Sequence, residues 1–285
     1  MTPILMNASP EQLNAAVDGN LFDLFRAMTR LPGAELHESA NLSRHLASPF
    51  NPMFKGVWHT RLAHADVDAA IADSIAYFQF KDAPFFFWWT GPDTQPADTG
   101  QHLAAPGLTV HELDAPGMTA ELSALDYDAL NRVPKNFVIE RVSNLTQLEQ
   151  FKQAFVAGME IPEWAGQAWV DATLALGIGQ TPWKMYVGLL DGEPVASNML
   201  FNGAGVASVF GVATVPGARG RGIGAAITLL PYQDALAMGY RYGVLFATEL
   251  GTPVYRRIGF QDSPVRISRY LWRNGANLPR IGQAH

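Results

Sequence analysis

Cysteine is absent from the 285 residues, which excludes disulfides, thiolate nucleophiles and zinc–thiolate centres together. Charge is scarce: 16% of residues are charged and 48% hydrophobic, a balance that builds packed cores and not a disordered chain. No segment offers the roughly 18 to 20 predominantly apolar residues of a bilayer span, since the uncharged stretch 194–218 is interrupted by Asn198, Asn202, Gly203 and Gly205, and MTPILMNASPEQ has no basic patch before its short apolar run. Neither membrane insertion nor export is expected, which leaves the cytoplasm as the expected location. Basic residues are the minority, 20 against 26 acidic for a net charge of −6, and no Lys/Arg stripe is present. A nucleic-acid partner is therefore not expected. His37, His45, His59, His64, His102, His111 and His285 include no His-x-x-x-His pair, and no metal is expected.

The length suits two domains of about 140 residues each. Residues 1–135 carry 8 basic and 16 acidic side chains, whereas the remainder carries 12 basic and 10 acidic. A site for a polyanion therefore belongs to the second half.

Such a site is written in VASVFGVATVPGARGRGIGAA, residues 206–226. A β-branched apolar run of buried-strand type, Val206 to Val215, meets Pro216, then Arg219-Gly220-Arg221-Gly222-Ile223-Gly224, then a long uncharged helical stretch. Glycines let the backbone take positive φ and bring amide donors close to a bulky group. The first-turn N–H groups of a helix have no internal partner, and the helix dipole puts about half a positive charge there. A phosphate satisfies both, and Arg219 and Arg221 add planar guanidinium forks. Gly220 to Ala225 are the candidate phosphate cradle.

Along the first half, the pattern predicts a helix over 9–28 capped by Ser9, strands over 34–45 and 56–63, a helix over 66–80, the buried strand 84–90, a short helix over 97–104, and a strand over 108–122 broken at Pro116-Gly117. Residues 126–134 read as a linker. In the second half follow a strand over 136–141, a helix from Ser143 or Asn144 to 158, a helix over 165–176, a hairpin over 183–190 and 193–202 turned at Asp191-Gly192, the strand and loop above, a helix over 223–238, a strand over 242–248, a short helix over 253–258 and a strand over 264–272. Hairpins mixed with one strand–helix–strand crossover predict a mixed sheet of the α+β class flanked by helices.

The halves also correspond. VLFATELGTPVYRRIGF at 244–260 and FFFWWTGPDTQPADTGQHLAAPGL at 85–108 share a strand, a Gly-Pro-containing turn, a short helix and a glycine–apolar ending. Upstream, GVWHTRLAHADVDAAIADSIAYF stands where GVATVPGARGRGIGAAITLLPY does. The expectation is a tandem repeat, domain 1–130 followed by domain 136–285. Where the second copy has Arg219 to Gly224, the first has Ala63-His64-Ala65-Asp66-Val67-Asp68. Two aspartates repel phosphate, so one cofactor per chain is expected.

Three residue sets resemble the GNAT superfamily of N-acetyltransferases. Arg219-x-x-Gly222-x-Gly224 is similar to the family's (Gln/Arg)-x-x-Gly-x-(Gly/Ala) pyrophosphate signature, and Tyr255-Arg-Arg-Ile-Gly259-Phe260 to its Tyr-x-x-x-Gly-Phe ending. Val212, Ala213 and Thr214, with Pro216 after them, fit the family's preceding strand. The resemblance implies tandem GNAT-like domains, the first degenerate; acetyl-CoA as co-substrate; direct transfer of an acetyl or other acyl group to an amine of a small molecule or peptide; a strand that holds the pantetheine arm through its backbone; and Tyr255 as general acid. Many relatives carry a glutamate on that strand, but residues 210–215 contain no acid, so Glu249 is the candidate base. Thr248 stands where the family often has asparagine. Glu160 and Glu163, in the turn where relatives often contact the acceptor, are candidates for substrate recognition.

Two other readings stay open. Gly220-x-Gly222-x-x-Ala225 also matches a dinucleotide-binding turn, although Tyr240 to Tyr242 hold no acidic residue at the required distance. A sensor that binds acyl-CoA without turnover is the alternative of a different class. Tandem copies are similar, too, to aminoacyl-tRNA-dependent transferases, which the acidic first half disfavours.

Overall fold

Ser9 starts the first helix by a reciprocal exchange: its N–H donates to Gln12 Oε1 at 2.8 Å, and the Gln12 N–H donates to Ser9 Oγ at 3.3 Å. The helix, α1, spans Pro10–Met28 in a computed structural model that describes residues 2–48 and 50–275. Among the described residues, no helix is long and apolar enough to cross a membrane.

Packing divides the chain into two units, and not in simple chain order. Among the described residues, one unit joins residues 2–24 to Pro116–Pro264; the other joins Phe25–Ala115 to residues 265–275. A cut at 130–136 would therefore misplace both ends, for identifiable reasons. Asn20 Nδ2, on α1, donates to the carbonyls of Gly203 (3.0 Å) and Val206 (3.3 Å), and Asp23 accepts from the Ala204 N–H at 2.7 Å. At the other end, Ser268 to Arg273 pair antiparallel with Thr90 to Phe85.

The unit built on Phe25–Ala115 contains β1 (Glu35–Glu38), β2 (Ser43–Leu46), β3 (Lys55–Trp58), α2 (Val67–Phe80), β4 (Phe85–Thr90), α3 (Thr99–Ala104) and the first part of β5 (Thr109–Glu121), with most of β11 (Gln261–Arg273). Its strand order is β1-β2-β3-β4-β11-β5. The single strand expected over 34–45 is a hairpin, because Ser39 turns the chain by bonding Leu42 through both backbone and hydroxyl. PFFFWW fills the core as expected: Phe85, Phe86, Phe87 and Trp88 are fully or almost fully buried, and Phe86 packs with Val57, Ile71, Phe78 and Leu103.

In the other unit the order is β5-β10-β9-β8-β7-β6, from β6 (Phe137–Arg141), β7 (Trp183–Leu190), β8 (Glu193–Gly203), β9 (Val206–Thr214) and β10 (Tyr242–Phe246). Asn144 caps α4 (Leu145–Met159) by accepting from the Gln147 N–H, and α5 (Glu163–Leu176) follows. Strand alternation sorts the helices onto two faces. Tyr186 reaches Asp234 of α6 (Ile223–Ala237) at 2.6 Å, whereas its neighbours Met185 and Trp183 meet Thr173 of α5. α7 (Thr252–Arg257) follows β10.

Two expectations fail locally. β5 runs unbroken through Pro116-Gly117, because Pro116 still offers its carbonyl, which accepts from the Ala247 N–H at 2.9 Å, and Gly117 pairs with Phe246. Residues 126–134 are no loose linker: a 3₁₀ helix at Tyr127–Asn131 buries Ala129 in the same core as α6.

Proline inside α6 has a matched remedy. Pro231 has no N–H for the carbonyl of Ile227 one turn earlier, and Asn198 Nδ2, fully buried on β8, donates to that oxygen at 2.7 Å. Asn198→Ala should lower unfolding free energy by about 1 to 3 kcal/mol in urea titration. The same substitution in a Pro231→Ala background should cost about 1 kcal/mol less, since the helix then supplies its own donor; equal costs in the two backgrounds would refute the pairing.

Candidate active site

The parallel pairing of β9 with β10 runs through Ala207–Gly243 and Ser208–Val244. Beyond it the strands part. β9 bulges against β8 where Met199 pairs with Phe210 but Ser197 pairs with Ala213, and Gly211 takes φ +58° there. Its stretch to Thr214 thus carries backbone groups on a side where the neighbouring strand has ended its ladder, next to the loop that opens α6.

That loop is built as expected, with its arginines doing different work. Gly220 and Gly222 sit at φ +74° and +81°. A Cβ at Gly222 would lie 2.2 Å from the Arg132 carbonyl oxygen, so glycine is required twice over, by conformation and by space. The first helical bond runs from the Ala226 N–H to the Gly222 carbonyl. Among the described residues, the amides from Gly220 through Ala225 have no acceptor within the protein. Ile223 is buried and Gly224 faces Thr214, whose Oγ1 would stand 3.6 Å from an added Cβ.

Arg219 is a brace. Its Nε donates to the Thr214 carbonyl at 3.1 Å, and Nη2 donates to the Gly158 carbonyl at 3.1 Å and to Glu160 Oε1 at 2.9 Å. It thereby caps the end of α4, where a cation complements the helix dipole. Gly158 is needed for the contact: an added Cβ would meet Ala213 Cβ at 2.8 Å and the Thr214 nitrogen at 3.1 Å. Arg221, in contrast, is exposed and has no ion pair among the described residues.

Tyr255 lies in α7, 7% exposed, edge-on to Phe260 at 6.1 Å. Burial pushes its hydroxyl well above the usual tyrosine range. Its hydroxyl has no protein partner among the described residues. Glu249 stands in the exposed turn after β10, which stops at Phe246 and not at the expected Thr248. Thr248 Oγ1 accepts from the Gly251 N–H at 3.1 Å, which starts the turn into α7.

Both acidic candidates for the acceptor are engaged. Glu160 holds Arg219 from a left-handed position at the end of α4, and Glu163 pairs with Lys152 at 3.3 Å. Sequence reasoning missed Tyr127, whose buried hydroxyl has no partner among the described residues; burial pushes it up to about 12. Its segment looked like a linker because a 3₁₀ turn of mixed polarity has no periodic signature.

Neither a family model nor a curated protein sequence matches this chain. Solved structures do. A GCN5-related N-acetyltransferase from Kribbella flavida superposes with a TM-score of 0.68 at 17% identity, over 90% of this chain and 95% of that one. Another from Sphaerobacter thermophilus gives 0.60 at 14% identity, over 98% and 97%. A tandem GNAT protein from the clavulanic acid biosynthesis pathway gives 0.55 at 13%, over 97% and 98%. The fold is that of the GCN5-related N-acetyltransferases, in tandem arrangement. It is not a dinucleotide fold, since β9 is antiparallel to β8 and no parallel βαβαβ series surrounds the loop.

The two glycines at the start of α6 are separable. Gly222→Ala should cost about 1 to 3 kcal/mol through its positive φ, and more through the Arg132 carbonyl, whereas Gly224→Ala should leave stability unchanged or raised. Urea midpoints that fall equally in both variants would contradict this placement.

Proposed function

We propose that the chain is an acyl-CoA-dependent N-acyltransferase that moves an acetyl group from acetyl-CoA to an amine of a small molecule or peptide. The observation that carries the reading is the run of amides from Gly220 through Ala225, open at the positive end of α6 and flanked by the exposed Arg221. These donors suit a pyrophosphate, and the backbone of Val212, Ala213 and Thr214, beside the parting of β9 and β10, suits an extended amide-bearing arm.

Acetyl-CoA, when bound, supplies the activated acyl group. This chain's part is to position and to manage protons. Tyr255 keeps its proton through the neutral range because burial disfavours the phenolate, so it stands in the protonated form that a general acid for the departing thiolate requires. The exposed Glu249 is the proposed base, directly or through water. Glu160 and Glu163, at the turn between α4 and α5, are the proposed groups for a cationic acceptor, which would have to share Glu160 with Arg219 and Glu163 with Lys152. A non-catalytic acyl-CoA sensor is the second reading, favoured by the absence of any carboxylate on residues 210–215 of β9.

Calorimetry with acetyl-CoA should give one site per chain. Arg221→Glu should weaken it by about 10- to 100-fold, the worth of a charge-assisted hydrogen bond, and unchanged affinity would remove the loop from the site. Tyr255→Phe should keep that affinity and lower kcat by about 10² to 10⁴ on an amine found by screening amines, amino acids, peptides and aminoglycosides. With Tyr255 held protonated, the parent's kcat should show no loss from tyrosine ionisation below the usual pKa of about 10. Binding without consumption of acetyl-CoA across the panel would favour the sensor.

A further inference from the structure

The correspondence between the halves has a structural form. In one, β9, a 3₁₀ turn at Pro216–Ala218, α6, the parallel strand β10 and the short helix α7 follow in order. In the other, β3, a 3₁₀ turn at His64–Asp66, α2, the parallel strand β4 and the short helix α3 do the same, with Gly56 paired to Phe87 and Val57 to Trp88. The place of the anion loop is taken by His64 to Asp68, and the place of the Tyr255 helix by α3 with Asp98 and His102.

These substituted residues converge. Asp98 stands between two imidazoles, with Oδ1 3.7 Å from His64 Nδ1 and Oδ2 3.8 Å from His102 Nε2. One ligand atom from each of His64, Asp98 and His102 falls within 4.8 Å of the others. The histidine rings meet edge to face at 5.2 Å. His102 is held from behind: its Nδ1 lies 2.8 Å from Asp68 Oδ1 on α2, so an Nδ1–H donated there leaves the Nε2 lone pair facing Asp98.

The backbone beneath is fixed. The Leu62 N–H donates to the Gln95 carbonyl and the Gln95 N–H to the Thr60 carbonyl, each at 2.9 Å, which ties the two ligand-bearing segments together. The fully buried Thr99 and Leu103 root α3 in the core.

We propose that His64, Asp98 and His102 form a binding site for a divalent transition cation of the zinc type, oriented by Asp68. Two imidazoles and a carboxylate are a donor set such an ion prefers, and hard cations such as magnesium would select oxygen instead. Ligand atoms about 3.4 Å apart surround a tetrahedral ion at bond lengths near 2.1 Å, so a set now spread over as much as 4.8 Å closes by side-chain movements of up to about 1.4 Å. The exposed His64 and partly exposed Asp98 have room to move toward the more buried His102, and solvent reaches the remaining position. The copy that lacks an anion loop thus holds cation ligands in its place.

The test is calorimetric titration of zinc chloride into the full, untagged chain after chelator dialysis. One zinc per chain is expected. His64→Asn and His102→Asn should each lower affinity more than tenfold, Asp68→Asn by about 10- to 100-fold, and His37→Asn not at all. Cobalt(II) should give visible absorption bands of a low-coordinate nitrogen–oxygen site that zinc abolishes. Absence of stoichiometric zinc binding, or equal binding by parent and ligand variants with unaltered thermal melts, would overturn the proposal. A ligand variant that fails to fold leaves the parent's cobalt spectrum and Asp68→Asn to decide. Acetyl-CoA titration of the same variants should be unchanged, which separates this site from the acyltransferase reading.

Discussion

One guanidinium holds the candidate site together. Arg219 bonds a carbonyl at the end of β9, a carbonyl at the end of α4 and the Glu160 carboxylate, and so ties the loop to both elements. Beyond it Gly222 caps the start of α6, where only a residue without Cβ fits beneath the Arg132 carbonyl. With α4 pinned, Gly158 must lie against Ala213 and Thr214. Charge-assisted bonds of this kind contribute about 1.5 to 3 kcal/mol, less here because the side chain is 40% exposed. A further result is electrostatic. Glu160 already neutralises Arg219, so the net positive charge of the loop rests on Arg221 and the helix dipole.

The two units show how little of a site belongs to its fold. The same run of strand, 3₁₀ turn, helix, parallel strand and short helix delivers a loop and a helix start to neighbouring positions in each. Glycines there leave amide donors open and suit an anion; imidazole and carboxylate there suit a cation. A handful of side chains decides between the two.

Most elements were legible in the sequence, because helices with caps and hairpins with Asp-Gly turns declare themselves locally. The Asp191-Gly192 hairpin and the Asn144 cap are of this kind. So was the glycine-rich loop before α6, whose glycines, arginines and preceding strand are contiguous. What escaped was set by distant partners. Pro116-Gly117 looked like a break, but neighbouring strands on β5 override the local preference for a turn. Asn198 and Pro231 are 33 positions apart, and nothing local says that one compensates the other. His102 meets Asp68 across 34 positions, so a search for His-x-x-x-His spacing could not find the cluster. The two jobs of Arg219 and Arg221 were equally hidden, since two arginines two residues apart look alike until the end of α4 is placed beside one of them.

The exchange of terminal segments between units bears on synthesis. Strand β11 is made after nearly everything else, yet it pairs with β4, whose residues emerge about two hundred positions earlier. The unit built on Phe25–Ala115 therefore waits, one strand short, while the ribosome completes the other unit, and α1 waits in turn for the strands it bonds. Neither half is a module that duplication or deletion could add or remove intact.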